Sequence, residues 1–95
     1  MVALLTLELR IEGAHSLKDK RQVLRSLKDR LRSQFNVAVA ELDHTDLWQR
    51  ATLGVVSISD SRDYLDGLMQ NVERQSMRLA NNAGAEVADS FLEYL

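Results

Sequence analysis

Between residues 2 and 11 apolar and polar positions alternate: Ala3, Leu5, Leu7, Leu9 and Ile11 hold the odd places, with Thr6, Glu8 and Arg10 between them. A period of two sends successive side chains to opposite faces, so this segment predicts a half-buried strand whose odd face looks at the core. Gly13 ends it. Ser16 followed by Asp19 is the S-x-x-D pattern in which a side-chain oxygen and a first-turn acid satisfy free helical N–H groups, which predicts a helix start. From there the period changes. Leu17, Val23, Leu24, Leu27, Leu31 and Phe35 fall on one stripe when turned at about 100° per residue, the buried face of an amphipathic helix that Asn36 can end.

Residues 37–43 predict a second strand, DHTD at 43–46 a polar turn, and residues 48–58 a third strand, so the two form a hairpin. Asp60 and Asp63 open a second helix, whose Leu65, Leu68, Met69, Val72 and Leu79 share a face. Gly67 weakens that helix by about 1 kcal/mol relative to alanine. NNAG at 81–84 stops it, and residues 85–95 predict the last strand. The order βαββαβ is the ferredoxin-like pattern: a four-stranded antiparallel sheet with two helices packed on one face, here an α+β fold filling a single domain, residues 1–95.

Composition changes this picture in two respects. Cysteine is absent, which excludes a disulfide framework, a thiolate zinc site and a cysteine nucleophile, and fits a cytoplasmic protein held by packing alone. The N-terminal residues have neither the basic start nor the long apolar run of a signal peptide or membrane span, so no membrane association is expected. Charge is distributed unevenly. Seven of the twelve cations lie in residues 16–35 against Asp19 and Asp29, a local charge of +5 that leaves −7 on the other seventy-five residues of a chain whose net charge is −2.

The near repeat of SLKDK as SLKDR, ten residues on, is rotated by roughly 280° on a helix and is therefore not a duplicated face. Lys18, Arg21, Arg25, Lys28 and Arg32 do share a flank beside the apolar stripe, whereas Lys20 and Arg30 lie elsewhere. Cations at i, i+4, i+7 and i+11 suit a phosphate backbone, and the ridge is the candidate nucleic-acid-binding surface. The plainer alternative is a solvated helix face that raises solubility.

Trp48, Gln49 and Arg50 form a second candidate surface. With Leu47, Ala51, Leu53 and Val55 facing the helices, Trp48, Arg50 and Thr52 point to the open side of the sheet, where Trp48 can stack a base or anchor a protein. Alternatively, Trp48 covers the sheet edge and Arg50 pairs with Glu8 or Glu41 across strands. Recognition through aromatics on the central strands is not expected, since the first strand has none. Asp43, His44 and Asp46 with His15 are metal-ligand types, but they are also turn-forming residues without a second shell, so no metal site is predicted. The serines have no evident base, and there is no phosphate-binding glycine motif; neither catalysis nor a cofactor is predicted.

SLKDKR (16–21), FNVAVAELD (35–43) and especially DLWQRATLGV (46–55) resemble the YlxP-like family, also called DUF503, along essentially the whole chain. The resemblance implies a small bacterial ferredoxin-like protein without an assigned enzymatic activity, often encoded near genes of translation initiation and ribosome maturation. It marks Ser16 to Arg21 and Asp46 to Ala51 as locations of interest and gives them no role. The combined expectation is a non-enzymatic accessory protein that contacts RNA or a ribosomal particle through the basic ridge. The alternative is a protein-interaction or small-ligand regulatory homodimer that uses the open sheet face, its ligand unspecified.

Overall fold

A computed structural model describes residues 1–95. The order is β1 (Val2–Arg10), α1 (Leu17–Gln34), β2 (Ala38–Asp43), β3 (Arg50–Ile58), α2 (Arg62–Asn82) and β4 (Glu86–Tyr94). The strands form one antiparallel sheet in the order β2-β3-β1-β4, with both helices on one face, the ferredoxin-like arrangement expected from the pattern.

The registers explain why the alternation works. Leu5 lies opposite Val55, Leu7 opposite Leu53 and Leu9 opposite Ala51, so the odd residues of both central strands share the helix-facing side. Against them pack Leu24, Leu27 and Leu31 of α1 and Leu65, Met69 and Val72 of α2, all buried in one apolar cluster. Ser16 Oγ accepts from the Asp19 amide at 3.1 Å, and Asp19 Oδ2 accepts from the His15 amide at 3.0 Å, so the head of α1 is capped from both sides.

The hairpin and the second helix depart from expectation in detail. The third strand starts at Arg50, not at residue 48, and Leu47 is exposed instead of facing the helices. A strand persists only as far as its partner: β1 ends at Arg10, the Ile11 amide makes a last ladder bond to the Gln49 carbonyl at 2.9 Å, and residues 12–16 beyond it make no backbone bond to residues 44–48. Ser61, rather than Asp60 or Asp63, caps α2, its Oγ accepting from the Tyr64 amide at 3.2 Å, while Asp63 sits in the first turn. Asn81 and Asn82 belong to α2, and the turn out of it falls on Gly84, whose φ of 78° suits glycine.

Both edge strands carry a register shift, β2 between Glu41 and Asp43, and β4 opposite Glu8 and Leu9. Such bulges disrupt the ladder where a foreign strand would otherwise add. Leu42 alternates onto the open face with Ala38 and Ala40 and lies across Gly54, where a Cβ built on Gly54 would stand 2.7 Å from Leu42 Cδ1, while the bulge brings Asp43 onto the same face opposite Thr52.

Candidate nucleic-acid interface

Helix α1 lies alongside the outer strand β2, and the cation ridge lines the cleft between them. Arg21, Arg25, Lys28 and Arg32 flank this cleft with Leu24, Asp29 and Glu41, while Lys18 stands exposed nearer the head of the helix, outside it. From Arg21 to Arg32 the row extends about 17 Å at 1.5 Å per residue. Only Arg32 is tied down: its Nη2 donates to the Val39 carbonyl at 3.1 Å, and its Nη1 lies 3.7 Å from Asp29. Lys18, Arg21, Arg25 and Lys28 have no carboxylate within 4.0 Å. The one acid on the opposite wall, Glu41, is engaged elsewhere.

That engagement is with Lys20. Its side chain is buried, with Nζ 2.9 Å from Glu41 Oε2, off the direction of a hydrogen bond, and donating to the His44 carbonyl at 2.5 Å. Lys20 thus fastens the first turns of α1 to the end of β2, while Arg32 fastens the last turn to Val39. Helix and edge strand are clamped at both ends of the cleft, and Arg21, Arg25 and Lys28 lie between the clamps. Sequence reasoning placed Lys20 merely off the ridge. A signal was present, because 17, 20, 24, 27 and 31 alternate steps of three and four, making Lys20 an ionic residue in an apolar stripe.

Residues 44–49 form a loop rather than the start of a strand. His44 has φ 62°, its amide donates to Asp43 Oδ1 at 2.7 Å, and its carbonyl holds Lys20, so Asp43 and His44 shape and anchor the turn. At the far end Gln49 Nε2 donates to the carbonyls of Glu12 and Ala14, both at 3.2 Å. Gln49 is therefore the brace of the loop more than a contact surface. Between the two anchors Leu47 and Trp48 project, 42% and 52% exposed, over a recess lined by residues 46–50.

Arg50 leaves this loop along the open face of the sheet. It pairs with neither Glu8 nor Glu41, because Glu8 Oε2 accepts from Thr52 Oγ1 at 2.8 Å and Glu41 is held by Lys20. Its cross-strand neighbour is Arg10, which sits 3.6 Å from Glu86. Arg50 is left as a free cation beside Trp48.

The open face divides along its length. At the Trp48 end lie Arg10, Arg50 and Glu86, then a row of Asp43, Thr52, Glu8 and Asp89. The far half is mainly apolar, with Val2, Leu4, Val56 and Ile58 on the central strands, Ala38, Ala40 and Leu42 on β2, and Phe91 on β4, interrupted by Thr6 opposite Phe91 and Glu93 opposite Leu4; Ile58 is 72% and Phe91 62% exposed.

Comparison with known proteins gives the family and the fold. The DUF503 profile, described as a protein of unknown function, matches residues 2–91. The chain is 36% identical over 72 residues to the uncharacterized protein YlxP of Bacillus subtilis (strain 168), an alignment covering 76% of this chain and 78% of that one. Among solved structures, a C-terminal segment of the alpha subunit of aIF2 from Pyrococcus abyssi superposes with a TM-score of 0.57 at 13% identity, over the whole of this chain and 50% of the other. The Bacillus subtilis YXEP protein, a dinuclear metal binding peptidase, superposes with a TM-score of 0.50 at 11% identity over 97% of this chain and 24% of that one. The chain spans half or less of these two solved chains, and at such identities the likeness is one of fold. No helix is long and apolar enough to cross a membrane.

Proposed function

The chain belongs to the DUF503 family, and from its own residues we propose that it is a non-enzymatic accessory protein that contacts RNA, free or in a ribosomal particle, through the cleft between α1 and β2. The observation that carries this reading is the row Arg21, Arg25, Lys28, without a carboxylate within 4.0 Å, on one wall of a cleft whose two acids, Asp29 and Glu41, lie against Arg32 and Lys20, in a chain whose remaining charge is negative. A surface that served only solubility would not need cations collected on one cleft. Phosphodiester groups laid along it displace counterions, and four engaged cations predict a slope of about −3 for log affinity against log salt on single-stranded RNA, three about −2.

The test is anisotropy of a labelled single-stranded oligoribonucleotide across a salt series, together with gradient co-sedimentation with ribosomal particles. A variant with Arg21, Arg25 and Lys28 changed to glutamate leaves the Arg32 clamp intact and is expected to lose binding in both assays. Arg30→Glu, off the row, is expected to keep it. Salt-independent binding, or undiminished binding by the triple variant, refutes the reading.

The apolar half of the open face favours a second reading, self-association of two copies. Three strands of nine residues and one of six, about 4.8 Å apart and rising about 3.3 Å per residue, cover roughly 500 to 550 Å². Two whole faces would bury about 1,000 to 1,100 Å², just under the 1,200 to 2,000 Å² of stable interfaces. Whole-face pairing with the strands aligned would also set the Asp43, Glu8 and Asp89 row against its own copy. Overlap confined to the apolar half gives a weak, concentration-dependent pair, not a permanent dimer.

A further inference from the structure

Two features of the loop at 44–49 are unexplained by packing. It exposes Leu47 and Trp48, although it is braced at both ends by Lys20 and Gln49. A floppy loop would fold its aromatic down onto the nearest apolar surface, whereas a braced loop holds it out. Beside Trp48 stands Arg50 without a carboxylate partner, and the two share the lining of one recess with Asp46.

The position of this loop relative to the cation row follows from the clamps. Arg32 meets β2 at Val39 and Lys20 meets it at Glu41 and His44, so α1 runs along β2 toward the loop as one goes from Arg32 back to Lys20. Arg21, one residue past Lys20, is thus at the loop end of the row. A polyanion lying in the cleft leaves it beside His44, where the loop that carries Trp48 begins.

Resting on the RNA reading above, we propose that the cleft takes a single strand and that Trp48 stacks one unpaired base of it, with Arg50 meeting an adjoining phosphate. Three arguments favour this. An aromatic face accepts any base by stacking, without hydrogen-bond readout, and a cation row beside it is the usual means of tracking a single-stranded backbone. A duplex keeps its bases inside the stack, where Trp48 has nothing to cover, and the major groove of A-form RNA is too deep and narrow for side chains to read. Asp46 on the same recess repels a phosphate, so the planar, uncharged base is the part of a nucleotide that suits the tryptophan.

Trp48 is the sole tryptophan of the chain, which makes its emission a direct readout. The full chain is titrated with a 12-nucleotide single-stranded RNA, with the same RNA annealed to its complement, and with inorganic polyphosphate, which has the charge and no bases. The expected result is emission quenched at least twofold by the single strand and unchanged by polyphosphate, with the duplex bound more weakly and without quenching. Trp48→Ala is expected to bind the single strand about tenfold more weakly, within the range for loss of one stacked base, and Trp48→Phe to keep most of the affinity.

Equal quenching by polyphosphate, or single-strand binding by anisotropy with unchanged emission and an unaffected Trp48→Ala variant, overturns the stacking proposal and leaves the phosphate cleft standing. Absence of any RNA binding overturns both, and points to the Leu47 and Trp48 tip as an anchor for a protein. Because Trp48 emission is read in the unaltered protein, the outcome does not depend on a variant folding.

Discussion

The ion pair of Lys20 and Glu41 can be broken from either side, and the two sides should not be equivalent. At 2.9 Å the mutual attraction is about 6 kcal/mol at an effective dielectric constant near 20, but removing both charges from water offsets most of it. The pair therefore adds little net stability, while a broken pair is expensive. Glu41→Gln leaves an ammonium on a side chain 2% exposed with the His44 carbonyl as its remaining partner, and should destabilise by about 3 to 4 kcal/mol. Lys20→Met leaves a carboxylate on a side chain that is 22% exposed and can turn to water, and a His44 carbonyl that keeps the Leu47 amide at 3.1 Å as its partner, a loss partly offset by the buried methionine. It should cost about 1 to 2 kcal/mol. Lys20→Met with Glu41→Leu removes both charges and should lie within about 1 kcal/mol of the parent. The assay is urea unfolding followed by far-UV circular dichroism, comparing midpoints at constant slope. A loss of 3 kcal/mol is a large fraction of the roughly 5 to 14 kcal/mol available to a chain of this length and corresponds to about 12 to 24 °C in Tm. If the two single losses were equal and simply added in the double variant, the account of a buried pair acting as a unit would be wrong.

The glutamate triple variant of Arg21, Arg25 and Lys28 should keep its Tm within a few degrees, because Arg21 and Arg25 are exposed and none of the three has an acidic partner to lose; a large fall would mean that the row is structural. Gly54→Ala should be nearly neutral, since the new Cβ meets the end of the Leu42 side chain and the strand gains from replacing glycine, whereas Gly54→Val should lose about 1 to 3 kcal/mol in the same unfolding assay. Sedimentation equilibrium should find a monomer at micromolar concentration and partial pairing near millimolar, abolished by Phe91→Glu; a dimer at nanomolar concentration would contradict the area argument.

Much of the fold was legible from two periods. The odd positions of β1 bury because alternation is a local property of extended chain, and Leu24, Leu27 and Leu31 bury because a three-four spacing is a local property of a helix. The five ridge cations were also readable as one flank, since helical angle depends on sequence separation alone. The start of β3 was not. Leu47 and Trp48 have the composition of a strand, but whether they extend one depends on where β1 stops, some forty residues earlier.

What the sequence determined by itself was therefore what depends on neighbours along the chain: the elements, their inward faces, the absence of cysteine chemistry and the concentration of positive charge on α1. What only tertiary structure decided was which partner each charge meets. Arg21 and Arg32 share one flank on paper, yet one stands free and the other holds the Val39 carbonyl, and the apolar stripe that includes Lys20 does not name Glu41 and His44 as the groups that receive it. The reason is the meeting of α1 with the edge strand β2, a contact between segments distant enough in sequence that no local period encodes it. That same contact made the ridge one wall of a cleft and set the loop with Trp48 at its end.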